Sequence, residues 1–336
     1  MAFPIFSVLV AASVALPGGP PVGMDYLAYD PATNRVWVPA GNTGNVDVLD
    51  VATGKLTAIT GLTTAPSRRP DRPRMGPSSA TVGDGVVWIG NRGDGKVHAF
   101  DARTLAARGV VSLPSMPDGI AYVKATHELW VTTPRDQTIS IANVANAAAP
   151  GSVATIKLDG DPEGFAVDGV RGAFYTNLED KDRTLTIDIK TRKVVASWPS
   201  GCGSEGPRGL ALDAARRWLF VACTDGATVR DLAQVGGQVG KVLGRIKTGG
   251  GVDNLDYDPR RRLLFIACGK DGNMVVAHVD DRGALQRVAV VVTAPGARNP
   301  VLDANGTAFV EDALNGRLIV IDGATRAGAG AGGSPP

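Results

Sequence analysis

The sequence predicts an all-β protein, a seven-bladed β-propeller with four antiparallel strands in each blade. The main observation is a hydrophobic, β-forming segment with a central aromatic residue, which recurs seven times along the 336 residues. The aromatic residues of these copies are Trp37, Trp88, Trp130, Phe174, Phe220, Phe265 and Phe309. They are separated by 51, 42, 44, 46, 45 and 44 residues, and a period of this length without a helical pattern is typical of one propeller blade per repeat.

Blade five shows how one repeat is built. Its predicted strands are RGLALD (208–213), WLFVAC (218–223), TVRDLA (228–233) and KVLGRIK (241–247), which are short runs of β-forming residues separated by turns. The turn between the third and fourth strands recurs as Asp-x-x-Thr, for example from Asp50 to Thr53. An Asp at such a position accepts backbone N–H bonds, so these polar residues are interpreted as turn structure and not as a functional site.

We expect residues 1–326 to form a single propeller domain, because a closed ring uses every repeat. The predicted blades span approximately residues 23–67, 76–117, 118–162, 163–207, 208–252, 253–297, and 298–326 together with 5–16. Residues 327–336, AGAGAGGSPP, are of low complexity and are predicted to be a disordered tail.

Residues 5–16, IFSVLVAASVAL, allow two interpretations. The last repeat ends after its third strand, RLIVID (317–322), so an N-terminal strand would supply the missing fourth strand and close the ring. The alternative is the apolar part of a secretory signal peptide, although no Lys or Arg precedes it, as such signals require. The run is too short to span a bilayer. We therefore predict a closing strand that pairs into the last blade, and no membrane span.

The composition is that of a folded protein without a dominant charge. Hydrophobic residues make up 44% and charged residues 20% of the chain, which excludes global disorder. The formal net charge is +2, whereas a nucleic-acid-binding domain normally carries a strong basic excess. Nucleic acid is therefore not an expected general partner. We expect a monomer.

The repeat pattern resembles that of a known family. Inner strands of the form x-G-h-A-h-D, where h is hydrophobic, precede RhWV or hhFVA and then h-x-V-h-D-x-x-T-G-K, most clearly in DPATNRVWVPAGNTGNVDVLDVATGK (30–55). Over nearly the whole chain this pattern resembles the YVTN or YncE-like seven-bladed propellers. The resemblance implies an extracytoplasmic protein, periplasmic or secreted, and carries no catalytic motif. Some members resemble DNA-binding or cell-surface proteins, and sequence-related propellers include sugar lactonases.

Ionisable residues recur at the predicted mouth of the central channel. Propellers bind ligands where the loops between blades meet the start of each inner strand. Five positions before the end of the inner strand, six blades carry an ionisable residue, while blade two has Ser78 or Ser79 there. The six residues are Asp25, Asp118, Glu163, Arg208, Asp253 and Arg298. Asn254 and Asn299 follow two of them, and these eight residues form the predicted ligand-binding site.

Two roles remain open for this charged ring. In the first, the four acids and two arginines form ion pairs with one another and fill the channel. Arginines beside acids would equally suit a ligand with a carboxylate, phosphate or lactone group. The carboxylates are hard oxygen donors of the kind that a divalent metal accepts, but no spacing matches a known calcium loop. We therefore predict no cofactor and no metal, with a divalent metal held by these carboxylates as the alternative.

The longest loop between blades, TAPSRRPDRPRMGPSS (64–79), is rich in arginine. Its prolines restrict the backbone, so a semi-rigid arm is expected at the rim of the mouth. The predicted anion-binding residues of this loop are Arg69, Arg72 and Arg74. Arg92 and Arg135, in turns of blades two and three, should point the same way and help to attract an acidic glycan, a phosphate or a DNA backbone. The alternative is a solvated surface loop.

Three cysteines and three histidines supply few further candidates. Cys202 lies in the loop entering blade five and Cys223 ends its second strand, so we predict a disulfide between them and an oxidising compartment. Cys268, one blade further on, is predicted to stay unpaired, with a three-thiolate metal site as the alternative. None of the histidines falls at the predicted mouth or in a nucleophile–base spacing.

The sequence leaves three functional hypotheses. The first is a periplasmic or secreted scaffold that binds a small anionic ligand or a protein partner at the channel mouth. The second is a lactonase-like hydrolase or a lyase, with a mouth carboxylate as acid or base and Arg208 and Arg298 holding an anion. The third is a nucleic-acid binder that uses the arginine-rich loop. The first agrees best with the family resemblance and with the lack of a catalytic triad in the sequence.

Overall fold

Seven four-stranded antiparallel sheets form a closed ring of blades, so the predicted all-β propeller is confirmed. The computed structural model describes residues 10–69, 72–233 and 239–322. The predicted disordered tail, 327–336, and residues 5–9 of the predicted closing strand lie outside the described residues.

The strands follow the chain blade by blade, from an inner strand beside the channel to an outer edge strand. The N-terminal strand is β1 (Val10–Ala15), and blade one contains β2 (Ala28–Asp30), β3 (Arg35–Ala40), β4 (Asn45–Asp50) and β5 (Leu56–Ile59). A separate hairpin of β6 (Ala65–Arg69) and β7 (Arg72–Met75) precedes blade two, which contains β8 (Pro77–Gly83), β9 (Val86–Asn91), β10 (Lys96–Asp101) and β11 (Ala107–Ser112). Blade three contains β12 (Ile120–Val123), β13 (Glu128–Thr133), β14 (Thr138–Asn143) and β15 (Val153–Lys157).

The remaining blades repeat this plan. Blade four contains β16 (Pro162–Asp168), β17 (Ala173–Leu178), β18 (Arg183–Asp188) and β19 (Lys193–Pro199), and blade five contains β20 (Pro207–Asp213), β21 (Trp218–Cys223), β22 (Gly226–Asp231) and β23 (Lys241–Lys247). Blade six contains β24 (Val252–Asp258), β25 (Leu263–Cys268), β26 (Asn273–Val279) and β27 (Leu285–Val292). Blade seven contains β28 (Pro300–Leu302), β29 (Ala308–Asp312) and β30 (Arg317–Ile321). Three short 3-10 turns cover Gly41–Thr43, Pro134–Asp136 and Gly203–Glu205.

The N-terminal strand closes the ring. β1 pairs antiparallel with β30, with Ser13 opposite Ile319 and Val14 opposite Leu318, so blade seven takes its fourth strand from the start of the chain. Val14 also packs into the hydrophobic layer between blades seven and one. The prediction of an N-terminal strand that pairs into the last blade is therefore confirmed.

In every blade except blade four, the predicted aromatic residue packs against the following blade. Trp88 shares a buried cluster with Leu129 and Val131 of blade three, and Phe309 shares one with Val36 of blade one. Aromatic side chains remove a large apolar area from water when they are buried. Because they lie at the same place in every interface, this burial joins each blade to the next. The hydrophobic core is thus a set of layers between blades, and the ends of the ring remain available for polar residues.

The register of blade four differs by one residue from that inferred from the sequence. In blade one the N–H of Val51, just after the third strand, donates to the carbonyl oxygen of Asn34 at the end of the first turn, and in blade four the N–H of Ile189 donates to Gly172 in the same way. Trp37 lies three residues after Asn34 and Tyr175 three residues after Gly172. The assignment of Phe174 to the repeated position is therefore wrong, because two aromatic residues are adjacent there. With Tyr175, the intervals on both sides become 45 residues.

Glycines let the inner strands converge at one end of the channel. A Cβ atom on Gly164 would meet the backbone at Gly209, and a Cβ atom on Gly209 would meet the side-chain amide of Asn254. Only glycine permits such an approach. The residues directly before these glycines, Glu163 and Arg208, are therefore brought to the same opening.

Candidate functional site

The predicted ionisable residues surround one cavity of about 860 Å³ at the mouth of the channel. Its wall combines the starts of the inner strands with turns between the second and third strands of the blades. The charged lining residues are Asp25, Asp118, Glu163, Glu179, Asp253, Arg74, Arg92, Arg135, Arg208 and Arg298. Ser78 lines the cavity as the blade-two member. Acidic and basic side chains are equal in number, so the wall carries both signs of charge without a large net charge.

Arg92 joins two blades that are not neighbours. Its Nη2 donates to Asp25 Oδ2, just before blade one, at 2.9 Å and also to Asp118 Oδ1 at the start of blade three. Blade two contributes only the small Ser78 at the ring position between them, which leaves room for this arginine. Burial disfavours the charged form of Arg92, but the carboxylates of Asp25 and Glu163 outweigh burial, so its pKa lies above the ordinary value. Arg92 is therefore a permanent cation of the mouth.

Arg298 is held between a partly exposed and a buried carboxylate. Its Nη1 lies 3.0 Å from Asp253 Oδ2, and its Nε lies 3.2 Å from Oε1 of the fully buried Glu311. Burial acts to lower the pKa of Arg298, but Asp253 and the other nearby carboxylates raise it above its usual range. Asn299 Nδ2 donates to Glu311 Oε1 at 2.9 Å and to Asp25 Oδ1 at 3.2 Å. Asn299 thus links the Arg298 and Arg92 networks from a layer below the cavity.

Arg208 forms an ion pair with Glu179 at the cavity wall. The two side chains are 28% and 29% exposed, so this pair is open to a ligand. The strand behind it is held by Asn177, whose Nδ2 donates to the carbonyl oxygen of Arg208 at 2.5 Å. Thr184 Oγ1 in turn donates to Asn177 Oδ1 at 2.7 Å. The backbone that carries Arg208 is therefore fixed before any ligand binds.

Glu163 is held by a tyrosine. Tyr26 OH donates to Glu163 Oε1 at 2.9 Å, and the Tyr26 ring stacks on Phe165 with 5.8 Å between the ring centroids. Burial, together with the charges of Asp253 and Asp25, raises the pKa of Glu163 to about 7. Burial and the negative charges of Glu163, Asp25 and Asp253 hold the pKa of Tyr26 well above its usual value, so Tyr26 keeps its proton. Glu163 is the mouth carboxylate whose protonation changes near neutral pH.

The two predicted asparagines, Asn254 and Asn299, make different contacts in the structure. Asn299 is buried and supports Asp25 and Glu311, as described above. Asn254 is not among the residues described as lining the cavity, and its Oδ1 accepts from the backbone N–H of Leu255 at 2.9 Å. Its place beside Gly209 gives it a packing contact between blades five and six. Neither asparagine therefore faces the cavity directly.

The arginine-rich loop forms the hairpin of β6 and β7 beside the mouth. Arg74 lines the cavity, but its Nε and Nη2 donate to Thr64 Oγ1 at 2.9 and 2.6 Å. Arg69 and Arg72 are opposite each other in the hairpin, and their side chains lie outside the described part of the structure. Arg135 lines the cavity and is exposed. Of this predicted arc, Arg74, Arg92 and Arg135 are brought to one cavity.

Three members of the network were not singled out in the sequence. Glu179 belongs to the acidic turn of blade four that corresponds to the turn of Arg92, so comparison of these turns could have identified it. Glu311 lies within a hydrophobic second strand, at a position where the other six blades have Pro, Gly, Thr, Asn or Ala. A charged residue at this position is a sequence signal that could have identified it. Tyr26 follows the predicted Asp25 directly and has no comparable signal.

The predicted disulfide between Cys202 and Cys223 is present, with the two Cα atoms 5.2 Å apart. It ties the loop entering blade five to the end of β21. Cys268 is free and buried, as expected for the residue left unpaired. Within residues 10–69, 72–233 and 239–322, no three His, Cys, Asp or Glu side chains are grouped so that they could hold a metal ion.

The fold and its cavity define a class: a seven-bladed β-propeller with a mixed-charge channel mouth. None of the helical segments described here is long and apolar enough to cross a membrane. No family model matches the chain, and no curated protein matches it.

Solved structures share the fold at low sequence identity. A chain of a mitotic checkpoint complex is 12% identical, with a TM-score of 0.77 over 96% of this chain and 95% of that chain. A chain of the Kuenenia stuttgartiensis hydrazine synthase is 15% identical, with a TM-score of 0.75 over 92% and 97%. A streptogramin B lyase is 12% identical, with a TM-score of 0.71 over 91% and 95%. These likenesses establish the propeller fold alone.

Proposed function

We propose that this protein is an extracytoplasmic, YncE-like scaffold that binds a small anionic ligand, or an acidic group of a protein partner, in its channel mouth. The observation that carries the proposal is that the mouth stays open although its charges are paired. Arg92, Arg208 and Arg298 keep 23%, 28% and 27% of their side chains exposed beside a cavity of about 860 Å³. This volume lies within the usual range for ligand sites.

The chemistry of the wall indicates the class of ligand. A guanidinium binds a carboxylate or phosphate with two parallel hydrogen bonds, and the three arginines are already held in place by their ion pairs. Preorganisation of this kind reduces the entropy lost on binding. The five carboxylates of the wall would repel a polyanion, but they accept hydrogen bonds from hydroxyl groups. A small hydroxylated acid, such as an acidic sugar, therefore fits better than a long acidic polymer.

The proposed compartment is supported by the disulfide. Disulfides persist in oxidising environments such as the periplasm and the cell exterior, and Cys202 and Cys223 form one here. The resemblance of the repeats to the YVTN or YncE-like propellers supports the same location.

Thermal stability in the presence of candidate ligands tests the binding function. The panel contains acidic sugars, sugar lactones, inorganic phosphate, divalent metals and a short DNA duplex. A ligand at about one hundred times its Kd should stabilise the protein by about 2.7 kcal/mol. We expect at least one small anion to raise the melting temperature of the wild type.

The variant Arg208→Gln should abolish this shift, because it removes an exposed guanidinium from the wall. Lys181→Gln is the matched control, since Lys181 belongs to the same turn as Glu179 and is not among the lining residues. Two results would contradict the proposal: no shift with any small anion, or a shift that Arg208→Gln leaves unchanged.

A second candidate function is acid–base catalysis at Glu163. General acids and bases work best when their pKa lies near the working pH, and the pKa of Glu163 is raised to about 7. Tyr26 donates to one of its oxygens, which orients the carboxyl group. The fold is compatible with catalysis, since a streptogramin B lyase shares it. In this alternative Glu163 exchanges a proton with the substrate while Arg208 and Arg298 hold its anionic group.

Turnover of sugar lactones and of β-eliminating acidic sugars distinguishes the two candidates. For an enzyme, Glu163→Gln should remove turnover while the ligand-induced thermal shift persists. For a binding scaffold, the wild type should show the shift without measurable turnover of any substrate in the panel.

A further inference from the structure

At the end of the ring opposite the mouth, cations are concentrated in blades four, five and six. The turns between first and second strands, and between third and fourth strands, lie at this end, because the inner strands begin at the mouth. In blades four, five and six, basic residues occupy or flank these turns. They are Arg171, Lys190, Arg192, Lys193, Arg216, Arg217, Arg260, Arg261, Arg262 and Arg282, and we call this set the basic face.

The acids of the first turns lie behind these cations. Asp168, Asp213 and Asp258 have side chains that are 0%, 2% and 4% exposed. Their oxygens accept backbone N–H groups of the turns, as Asp213 Oδ1 does from Arg216 N at 2.9 Å. The arginines that pair with them stay in solvent, with Arg171 and Arg216 at 37% and 36% exposure. The outer layer of the turns is therefore positive although each turn contains a carboxylate.

Two further acids pair with members of the basic face without covering it. Glu128, which is buried, accepts from Arg192 Nη2 at 2.5 Å. Asp281, which is largely exposed, pairs with Arg262. The side chain of Arg260 is 64% exposed and lies 3.9 Å from Asp258 Oδ1. The partly exposed Asp188, Asp231 and Asp280 also lie at turns of this face, so its ten cations face four exposed or partly exposed carboxylates.

The other side of the same end carries fewer cations, since only Arg35, Lys55, Arg103 and Lys124 occupy or flank its turns in blades one to three. The first turns of blades seven, one and two read DANGT (303–307), DPATN (30–34) and GDG (83–85), without a basic residue. The whole chain has a formal net charge of only +2. The positive surface therefore results from placement and not from a basic composition.

Exposed valines accompany the cations of blade four. Val170, at the tip of the first turn and next to Arg171, is 85% exposed. Val194 and Val195 follow Lys193 and are 43% and 61% exposed. Apolar side chains among cations suit the boundary between lipid headgroups and acyl chains. A soluble polyanion offers phosphates or sulfates but no apolar layer for these valines.

We propose that the basic face docks on a lipid surface with anionic headgroups and that Val170 enters the boundary between headgroups and acyl chains. The cations are attracted to the negative surface potential, and the apolar contact adds to this attraction. Docking in this orientation turns the channel mouth away from the membrane. The mouth cavity then remains accessible to a ligand or partner in the aqueous phase.

Co-sedimentation with lipid vesicles tests the docking surface. The vesicles contain phosphatidylcholine with about one third phosphatidylglycerol, and pure phosphatidylcholine vesicles serve as the uncharged reference. The triple variant Lys190→Gln, Arg260→Gln, Arg282→Gln should weaken binding to the anionic vesicles by about 100-fold, roughly fivefold per cation. The control is Lys157→Gln, Lys181→Gln, Lys247→Gln, which removes the same charge at the mouth end and should bind almost as the wild type does.

A single substitution tests the apolar part. Val170→Ser should weaken binding to the anionic vesicles about threefold, with an unchanged thermal unfolding midpoint. Failure of the wild type to bind anionic vesicles at low salt would overturn the proposal, as would equal loss in the two triple variants. It would also be overturned if a DNA duplex or a sulfated polysaccharide bound as tightly as the vesicles and Val170→Ser had no effect, because the basic face would then be a polyanion surface.

Discussion

The layers between blades and the channel mouth use the same repeat in opposite ways. Between blades, equivalent aromatic residues recur in every copy and pack on the next blade, as Trp88 and Phe309 do. At the mouth, the equivalent positions carry charges of both signs, and Asp25, Glu163 and Arg208 are held by three different partners. Positions at which the copies agree therefore close the ring. Positions at which they differ are available for function.

The largest expected effect is the loss of one aromatic residue between blades. Phe220 is fully buried and packs on Tyr257 of the next blade, with 4.3 Å between the ring centroids. Phe220→Ala should lower the free energy of unfolding by about 3–5 kcal/mol, because it removes apolar burial and leaves a cavity. Denaturant titration measures this loss, and Val170→Ala, at an exposed position, should stay within about 0.5 kcal/mol of the wild type. A loss below about 1 kcal/mol would show that the repeated ring does not hold the blades together.

Removal of the disulfide should have the next largest effect. Cys202→Ser combined with Cys223→Ser frees the loop that enters blade five and should lower the free energy of unfolding by about 2–4 kcal/mol. Thermal unfolding with and without a reductant provides the control. Reductant should bring the wild type to the melting temperature of the double variant and leave the variant unchanged. If reductant had no effect on the unfolding of the wild type, the stabilising role would be refuted.

A third substitution should strengthen the layer between blades seven and one. Asp47 is fully buried, and neither of its carboxyl oxygens has a hydrogen-bond partner among the described residues. The equivalent positions of blades four, six and seven carry Leu185, Val275 and Ile319. Asp47→Val should therefore stabilise the protein by about 1–3 kcal/mol at pH 8.

The pH dependence of this gain identifies its cause. Burial raises the pKa of Asp47 to about 6, whereas the unfolded value is about 4. The folded state thus holds this proton more tightly, so the destabilisation by Asp47 is small near pH 4 and complete above about pH 6. Unfolding of Asp47→Val and wild type at pH 8 and pH 4.5 should show a clearly smaller difference at the lower pH. An equal difference at both values would mean that burial of the charge is not the cause.

The smallest expected effect concerns the paired charges of the mouth. Arg298→Gln leaves the buried Glu311 without its cation and should cost about 1–2 kcal/mol, since Arg298 itself is partly exposed. In the double variant with Glu311→Gln, the loss should be smaller than the sum of the two single losses. Denaturant titration of the four proteins gives the coupling energy. Strict additivity would indicate that the two groups do not interact in solution.

The fold could be predicted because its signals are local and repeated. Hydrophobic periodicity and turn residues recur in every blade, and the missing fourth strand of blade seven indicated the closing strand. Alignment of the repeats also identified Asp25, Asp118 and Arg298 as residues that lie around the channel mouth. It failed in blade four, where Phe174 and Tyr175 are both aromatic and a hydrogen bond was needed to choose between them.

The partners within the site could not be predicted in this way. Arg92 reaches past its own blade to carboxylates before blade one and at blade three, which no spacing in the sequence indicates. Asn254 and Asn299 follow equivalent mouth residues, yet only Asn299 contacts the charged network, because a glutamate replaces the usual small residue on the strand next to it.

The sequence by itself determined the number of blades, the closing strand, the disulfide and the six ionisable ring positions that line the mouth. Only the tertiary structure decided which charges pair, which carboxylate has a pKa near neutrality and whether the mouth stays open. The reason is the separation in sequence between the residues that determine each of these properties. Strand and turn formation depends on residues close in sequence, whereas the hydrogen bond from Asn299 to Asp25 joins residues 274 positions apart and exists only after the ring has closed.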